Sequence, residues 1–253
     1  MAERDNKFDD PRRSLLLGML ASGLYVVGNP MNPFSELRAE RLGSAPRLAP
    51  GKSIFAMSGK VTVNGRRATM DTFIKASDKV ETGDKSHIIF VVGKDAFILR
   101  SRGSLQLEPD PAPPAAASEK VKETSVGVMR LLTGKLLSVF GKRKHRITTA
   151  VATIGIRGTG VYVETDPEES YVCTCYGTTD IGAINEPGSN ETIVSTHHSA
   201  PRYISASGAA GKLIQPAPFK NHDDEELLLI ETLVGRTTPF IVPGGLRNRS
   251  RRY

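Results

Sequence analysis

The chain has no tryptophan, and aromatic residues make up only 6% of its 253 positions. Stacking of bases or sugars on aromatic platforms therefore has few side chains to work with, and nucleic acid is not an expected partner. Cysteine is almost absent: Cys173 and Cys175 are the whole supply. The signatures of common catalytic sites are missing too. There is no HExxH, no paired-carboxylate pattern, and no nucleophile-elbow context around Ser170 or Ser195. The Asp166, Glu168 and Glu169 group sits beside Pro167 and reads as a solvated turn. An enzyme is not expected. No apolar run reaches the roughly 20 residues of a comfortable membrane span.

What is present is a globular composition, 39% hydrophobic and 24% charged, with a formal net charge of +7. That charge favours acidic partners, whether an anionic lipid surface, a polyanion or an acidic envelope protein. The N-terminus is more specific. Arg12-Arg13-Ser14-Leu15-Leu16-Leu17 starts an apolar run that continues to about Gly28, and the pattern resembles a twin-arginine export signal. Residues 1–28 are read as an export signal or an uncleaved N-terminal anchor that meets the membrane during export, and the location as periplasmic. Residues 29–52, rich in Pro, Gly, Arg and Ala, read as a linker.

From residue 53 to about 208 the sequence is written in short β segments. Gly59 to Arg66 alternates apolar and polar residues around Asn64-Gly65, a hairpin signal. Strands are expected at 86–92 and 95–100 around Gly93-Lys94, at 104–107, and at 126–132 and 136–140 around Gly134. Further strands are expected at 147–153, 158–163, 171–176, 177–184, 191–196 and 202–205. Segments of this length, punctuated every 8 to 12 residues, predict an all-β sandwich, barrel or solenoid. The run 109–120 reads as a surface loop, since Pro109 to Ser118 suits neither strand nor helix. One helix is expected in the final segment, 209–253. Asn221 is its expected cap, Asp223 to Glu226 supply acid to its first turn, and Gly235 ends it. Arg247 to Tyr253 forms a basic tail.

The stretch Thr153-Ile154-Gly155-Ile156-Arg157-Gly158-Thr159-Gly160-Val161 has the ingredients of a phosphate loop. Such a loop must lead from a strand into a helix, so that amides and a helix terminus face the phosphates. Here Val161-Tyr162-Val163-Glu164 continues as strand, so the glycines are expected to shape a bend or admit a close neighbour. Together with Thr148 to Ala152, the stretch resembles the signature of FecR domains. Gly59-Lys60-Val61 with Val80 to Ser86, and Val128 to Ser138 around Gly134, are similar to earlier parts of that family's pattern. The resemblance covers roughly residues 55–205. It implies an all-β, FecR-like domain at the periplasm or cell surface, non-enzymatic and acting in binding, sensing or signalling. The flanking segments are shorter than the sigma-binding and transporter-contacting domains of the family's regulators, so a stand-alone exported type is expected.

Two groups of residues are candidate sites. On a strand, Cys173 and Cys175 share a face, and a disulfide between them would be strained. Thr196-His197-His198-Ser199-Ala200-Pro201 follows about twenty residues later. If the strands pair, histidines come near the sulfurs, and two thiolates with imidazoles suit zinc or copper(I). Cys173, Cys175, His197 and His198 are the candidate ligands, provided the chain turns at 197–198. Small core cysteines and a redox or partner-linked thiol pair stand as alternatives. His87, His145 and His222 have no companions in the sequence and read as structural or solvated. The basic run with Lys142, Arg143, Lys144 and Arg146 reads as a solvated loop or a surface for an anionic partner. For export, changing Arg12 and Arg13 to Lys is expected to abolish the periplasmic signal of a fusion reporter; an unchanged signal would point to the general secretory route.

Overall fold

The computed structural model describes residues 48–111, 118 and 122–240. The export segment with Arg12 and Arg13, most of the linker, most of the Pro-rich loop and the basic tail lie outside the described residues.

The strands are β1 (Ile54–Ser58), β2 (Val61–Val63), β3 (Arg66–Arg67), β4 (Lys79–Thr82), β5 (His87–Val92), β6 (Asp95–Leu99) and β7 (Ser104–Pro109). They continue with β8 (Val126–Val139), β9 (Lys144–Thr148), β10 (Ala152–Thr165), β11 (Glu169–Ala183), β12 (Asn190–Ser195), β13 (Arg202–Ser205) and β14 (Ile214–Pro216). A helix, α1, spans Asp224–Leu233. The all-β expectation with a C-terminal helix holds. The strands form one 14-stranded mixed sheet that does not close. It is antiparallel throughout except where β8 runs parallel to β9.

Three long strands organise it. The sequence reading split 126–132 from 136–140 and 171–176 from 177–184, but each pair is a single strand, β8 and β11. The third, β10, runs through the glycine-rich stretch. Each long strand changes partners midway. β8 passes from β7 to β6, β10 from β9 to β8, and β11 from β13 to β12. A positive-φ glycine sits at each change: Gly134 (φ 95°), Gly158 (φ 59°) and Gly177 (φ 87°). Sequence patterns read Gly134 and Gly177 as strand boundaries and Gly158 as shaping a bend; the chain uses all three to bend and re-pair without stopping. Arg157, beside the bulge, points out and pairs with Asp180 at 3.1 Å.

Alternation along the strands sorts two cores. In β6, Phe97 and Leu99 enter one cluster while Ala96 and Ile98 enter the other. In β10, Val161 and Val163 face the first and Tyr162 the second. In β11, Val172 faces the first, and Tyr171, Cys173 and Cys175 face the second. The second face is covered by α1 through Leu227, Leu229, Ile230 and Leu233, all at most 1% exposed. Its N-cap is Asp223, not Asn221: the Asp223 carboxylate accepts from the Glu226 amide at 2.9 Å, and the Glu226 side chain accepts from the Asp223 amide. Asn221 has φ 62° and spends its amide on Glu164. Gly235 (φ 73°) closes the helix, with the Gly235 and Arg236 amides donating to the Thr232 and Glu231 carbonyls. Among the described residues, no helix is long and apolar enough to cross a membrane.

At Gly160 the glycine-rich stretch packs under the helix. A Cβ there would lie 2.5 Å from the Tyr176 ring and 3.1 Å from Leu227. Gly155 faces only ordinary contacts with Asp180, the nearest at 3.5 Å. Gly160→Ala should therefore cost about 1–3 kcal/mol by overpacking, and Gly155→Ala almost nothing, by denaturant titration. Equal stability of the two variants would contradict this packing.

Candidate metal centre

The alternation that places Tyr171 on the helix-covered face places Cys173 and Cys175 there too, both 0% exposed and both free thiols. β12 leaves β11 at the pair Gly177–Ser195, so the histidine loop runs back over the cysteines. The His198 amide donates to the Cys175 carbonyl at 2.8 Å, and the Ser199 amide donates to the Ser195 hydroxyl at 2.9 Å. His198 takes φ 49°, a left-handed conformation uncommon for a non-glycine residue. This is the turn the sequence reading required at 197–198, and it swings one imidazole inward.

That imidazole is His198. Its Nδ1 lies 3.7 Å from Cys173 Sγ. The fourth side chain gathered at the sulfurs is His222, whereas His197 joins a separate group with His198 and Asp224. His222 Nε2 is 3.4 Å from Cys175 Sγ and 3.1 Å from His198 Nδ1. The ligand atoms of Cys173, Cys175, His198 and His222 all lie within 4.8 Å of one another. His197 turns outward onto Asp224, its Nε2 2.9 and 3.0 Å from the two carboxylate oxygens. His222 is 1% exposed and sits just ahead of α1, so the docking of the helix delivers it to the sulfurs.

Both imidazoles are held from behind. His198 Nε2–H donates to Asp224 Oδ1 at 2.8 Å, and His222 Nδ1–H donates to the Lys220 carbonyl at 2.8 Å. Each tautomer thus aims a nitrogen lone pair at the sulfurs, the arrangement that orients histidine ligands in metal sites. The walls are aromatic. Tyr162 stacks on His222 at 4.3 Å between centroids, Phe219 lies against both His198 and His222, and Lys220 Nζ sits 4.5 Å above the Tyr171 ring.

The electrostatics divide the thiols. The neighbouring Cys175 holds the Cys173 thiol well below the ordinary thiol range; burial opposes this, and His198 and His222 add to it. Burial, followed by the Cys173 charge, pushes Cys175 up. Burial also works against a charged His198, but Cys173 and Asp224 outweigh it and raise its pKa. A thiolate beside an imidazolium can begin nucleophilic catalysis. Cys173 is sealed from substrate, however, and a shallow groove lined by Asp180, Gly182 and Asn190 lies further along β11.

The other predicted surface is partly redistributed. Lys144 and Arg146 are exposed on β9, and Lys142 is exposed just before it. Arg143 is tied down by Asp110 at 2.7 Å and the Ser125 hydroxyl at 2.8 Å. His145 is buried between Phe140 and the Val126 carbonyl, a structural role.

No protein-family model and no curated protein matches the chain, so the likeness to FecR domains rests on the sequence resemblance. Among solved structures, it is similar to two crystal structures of a "putative anti-sigma factor" from Parabacteroides distasonis ATCC 8503. Both superpositions have a TM-score of 0.40, at 10% and 11% identity, and cover 59% of this chain and 62% of that one. The match thus spans less than two thirds of that protein's length, and so loose a likeness carries no argument about function.

In folded, chelator-treated protein, Cys173 and Cys175 are expected to react with a thiol reagent only as the domain opens, and both at once in denaturant. Immediate labelling of either in the folded state would contradict their burial.

Proposed function

We propose that this chain is a non-enzymatic, exported β domain that binds one zinc ion through Cys173, Cys175, His198 and His222. The observation that carries the reading is the convergence of four ligand atoms from three chain segments, within 4.8 Å of one another. Zinc bonds of about 2.3 Å to sulfur and about 2.0–2.1 Å to nitrogen set tetrahedral ligand atoms roughly 3.3–3.8 Å apart. Three of the six pairs measure 3.1, 3.4 and 3.7 Å, and all six lie within 4.8 Å, so small side-chain shifts bring the four atoms to that spacing.

Charge favours zinc over copper(I). Two thiolates at 0% exposure would be costly uncompensated. With neutral imidazoles, a dication brings the four-ligand centre to zero, whereas a monocation leaves a buried negative charge beside the Asp224 carboxylate. With four protein ligands and no open position, the site suits a structural ion that fastens α1 and the histidine loop to β11. Export and placement at the cell envelope are the second element of the reading, supported by Arg12-Arg13-Ser14-Leu15-Leu16-Leu17 and the FecR-like signature. Exposed Lys142, Lys144 and Arg146 support a further role for the β9 edge in meeting an acidic envelope protein or polyanion.

Elemental analysis of protein purified without a histidine tag should find about one zinc per chain, as expected for one closed four-ligand site. Cys173→Ser and His222→Ala should each lose it. Chelation should lower the melting temperature of the natural chain to that of His222→Ala. Folded protein without stoichiometric metal, after purification and zinc titration, would end the zinc reading.

A further inference from the structure

A buried four-ligand site needs a path by which a hydrated cation reaches it. Outside the sulfurs stands a second ligand group: His197, His198 and Asp224 offer atoms within 4.8 Å of one another. The two groups share His198, whose Nδ1 faces the sulfurs and whose Nε2 faces Asp224. Exposure falls steadily inward, from 50% for the His197 side chain to 18% for Asp224 and 9% for His198. Cys173 lies beyond, at 0%. His197 is therefore a ligand-type side chain in water, touching a carboxylate that also touches an inner ligand.

Resting on the zinc reading, we propose that His197 and Asp224 form an outer loading site through which zinc enters and leaves the buried centre. A dication crossing directly into the aromatic interior would shed its hydration shell before gaining ligands, which is costly. At the outer site, His197 Nε2 and a carboxylate oxygen of Asp224 replace part of that shell while water completes it. His198 Nδ1 and the Cys173 thiolate, then His222 Nε2 and Cys175, displace the remaining water and the outer ligands, the Cys175 thiol proton leaving to solvent. Asp224 returns to hold His198 from behind. Such a way station lowers the barrier equally in both directions, so it changes rates and leaves the affinity alone.

His197 also packs against the Phe240 ring, 4.4 Å between centroids, so a purely structural role must be separated from a ligand role. His197→Phe keeps an aromatic ring and removes the ligand; His197→Asp restores a ligand oxygen. The full chain, stripped of metal, is mixed rapidly with cobalt(II), and uptake is followed by the thiolate–cobalt absorption. Release of zinc to excess chelator is timed in parallel. His197→Phe should reach the natural chain's final spectrum and one cobalt per chain. Its uptake and release should both be about tenfold slower, a barrier change of about 1.4 kcal/mol. His197→Asp should keep rates near those of the natural chain. Unchanged rates in His197→Phe at full occupancy would overturn the loading role and leave the zinc reading standing. Lost occupancy in that variant would also overturn it, making His197 a prop of the inner site. A natural chain that gives no thiolate–cobalt absorption would overturn both.

Discussion

Helix α1 lies across one face of the sheet, and the buried end of the molecule is assembled by that docking. The face would otherwise expose Ile98, Leu137, Tyr162, Tyr171 and both cysteines. The apolar side of α1 closes it, and a buried ion pair fixes its position: Arg100 Nη2 donates to both Glu226 oxygens at 2.8 Å. Breaking such a pair from one side typically costs about 3–5 kcal/mol, because the remaining charge stays buried. Glu226 also completes the capping box, so one side chain sets both the start of the helix and its register on the sheet. Further along, Glu231 takes the Tyr176 hydroxyl and Arg236, fastening the far end.

The ligand cluster follows from this placement. His222 and Asp224 flank the N-cap, so wherever the helix begins, they begin with it. β11 contributes the cysteines by alternation, and the loop after β12 contributes His198 through a left-handed turn pinned to the Cys175 carbonyl. Three segments distant in sequence thus meet at one point, and each is anchored by contacts outside the cluster. The four side chains are therefore positioned by the fold itself, and an ion bound there would add a cross-link between α1, the loop and β11.

Much of the scaffold was legible in the sequence because it rests on local signals. The Asn64-Gly65 hairpin forms with both residues at positive φ, and Gly93-Lys94 joins β5 to β6. The glycine-rich stretch reads as strand because Val161 to Glu164 continues it, and it is strand. What escaped was non-local. Gly134 and Gly177 look like strand ends because positive φ usually stops pairing, yet here partners change while the strand runs on. Cys173, Cys175 and His198 were found by alternation and proximity along the chain. His222, 47 positions from its sulfur partner, carries no local signal. The cue was indirect: an apolar helix must cover some face of the sheet, and residues at its start are carried to whatever that face displays. A turn decides which of two adjacent histidines points inward, and spacing does not specify the turn, so the sequence cannot separate the inward His198 from the outward His197.

X-ray absorption at the zinc edge, on tag-free protein, tests the central claim most directly because it counts ligands by element. The account predicts a four-coordinate shell with two sulfurs at about 2.3 Å and two imidazole nitrogens at about 2.0–2.1 Å. A shell of nitrogen and oxygen alone would contradict it.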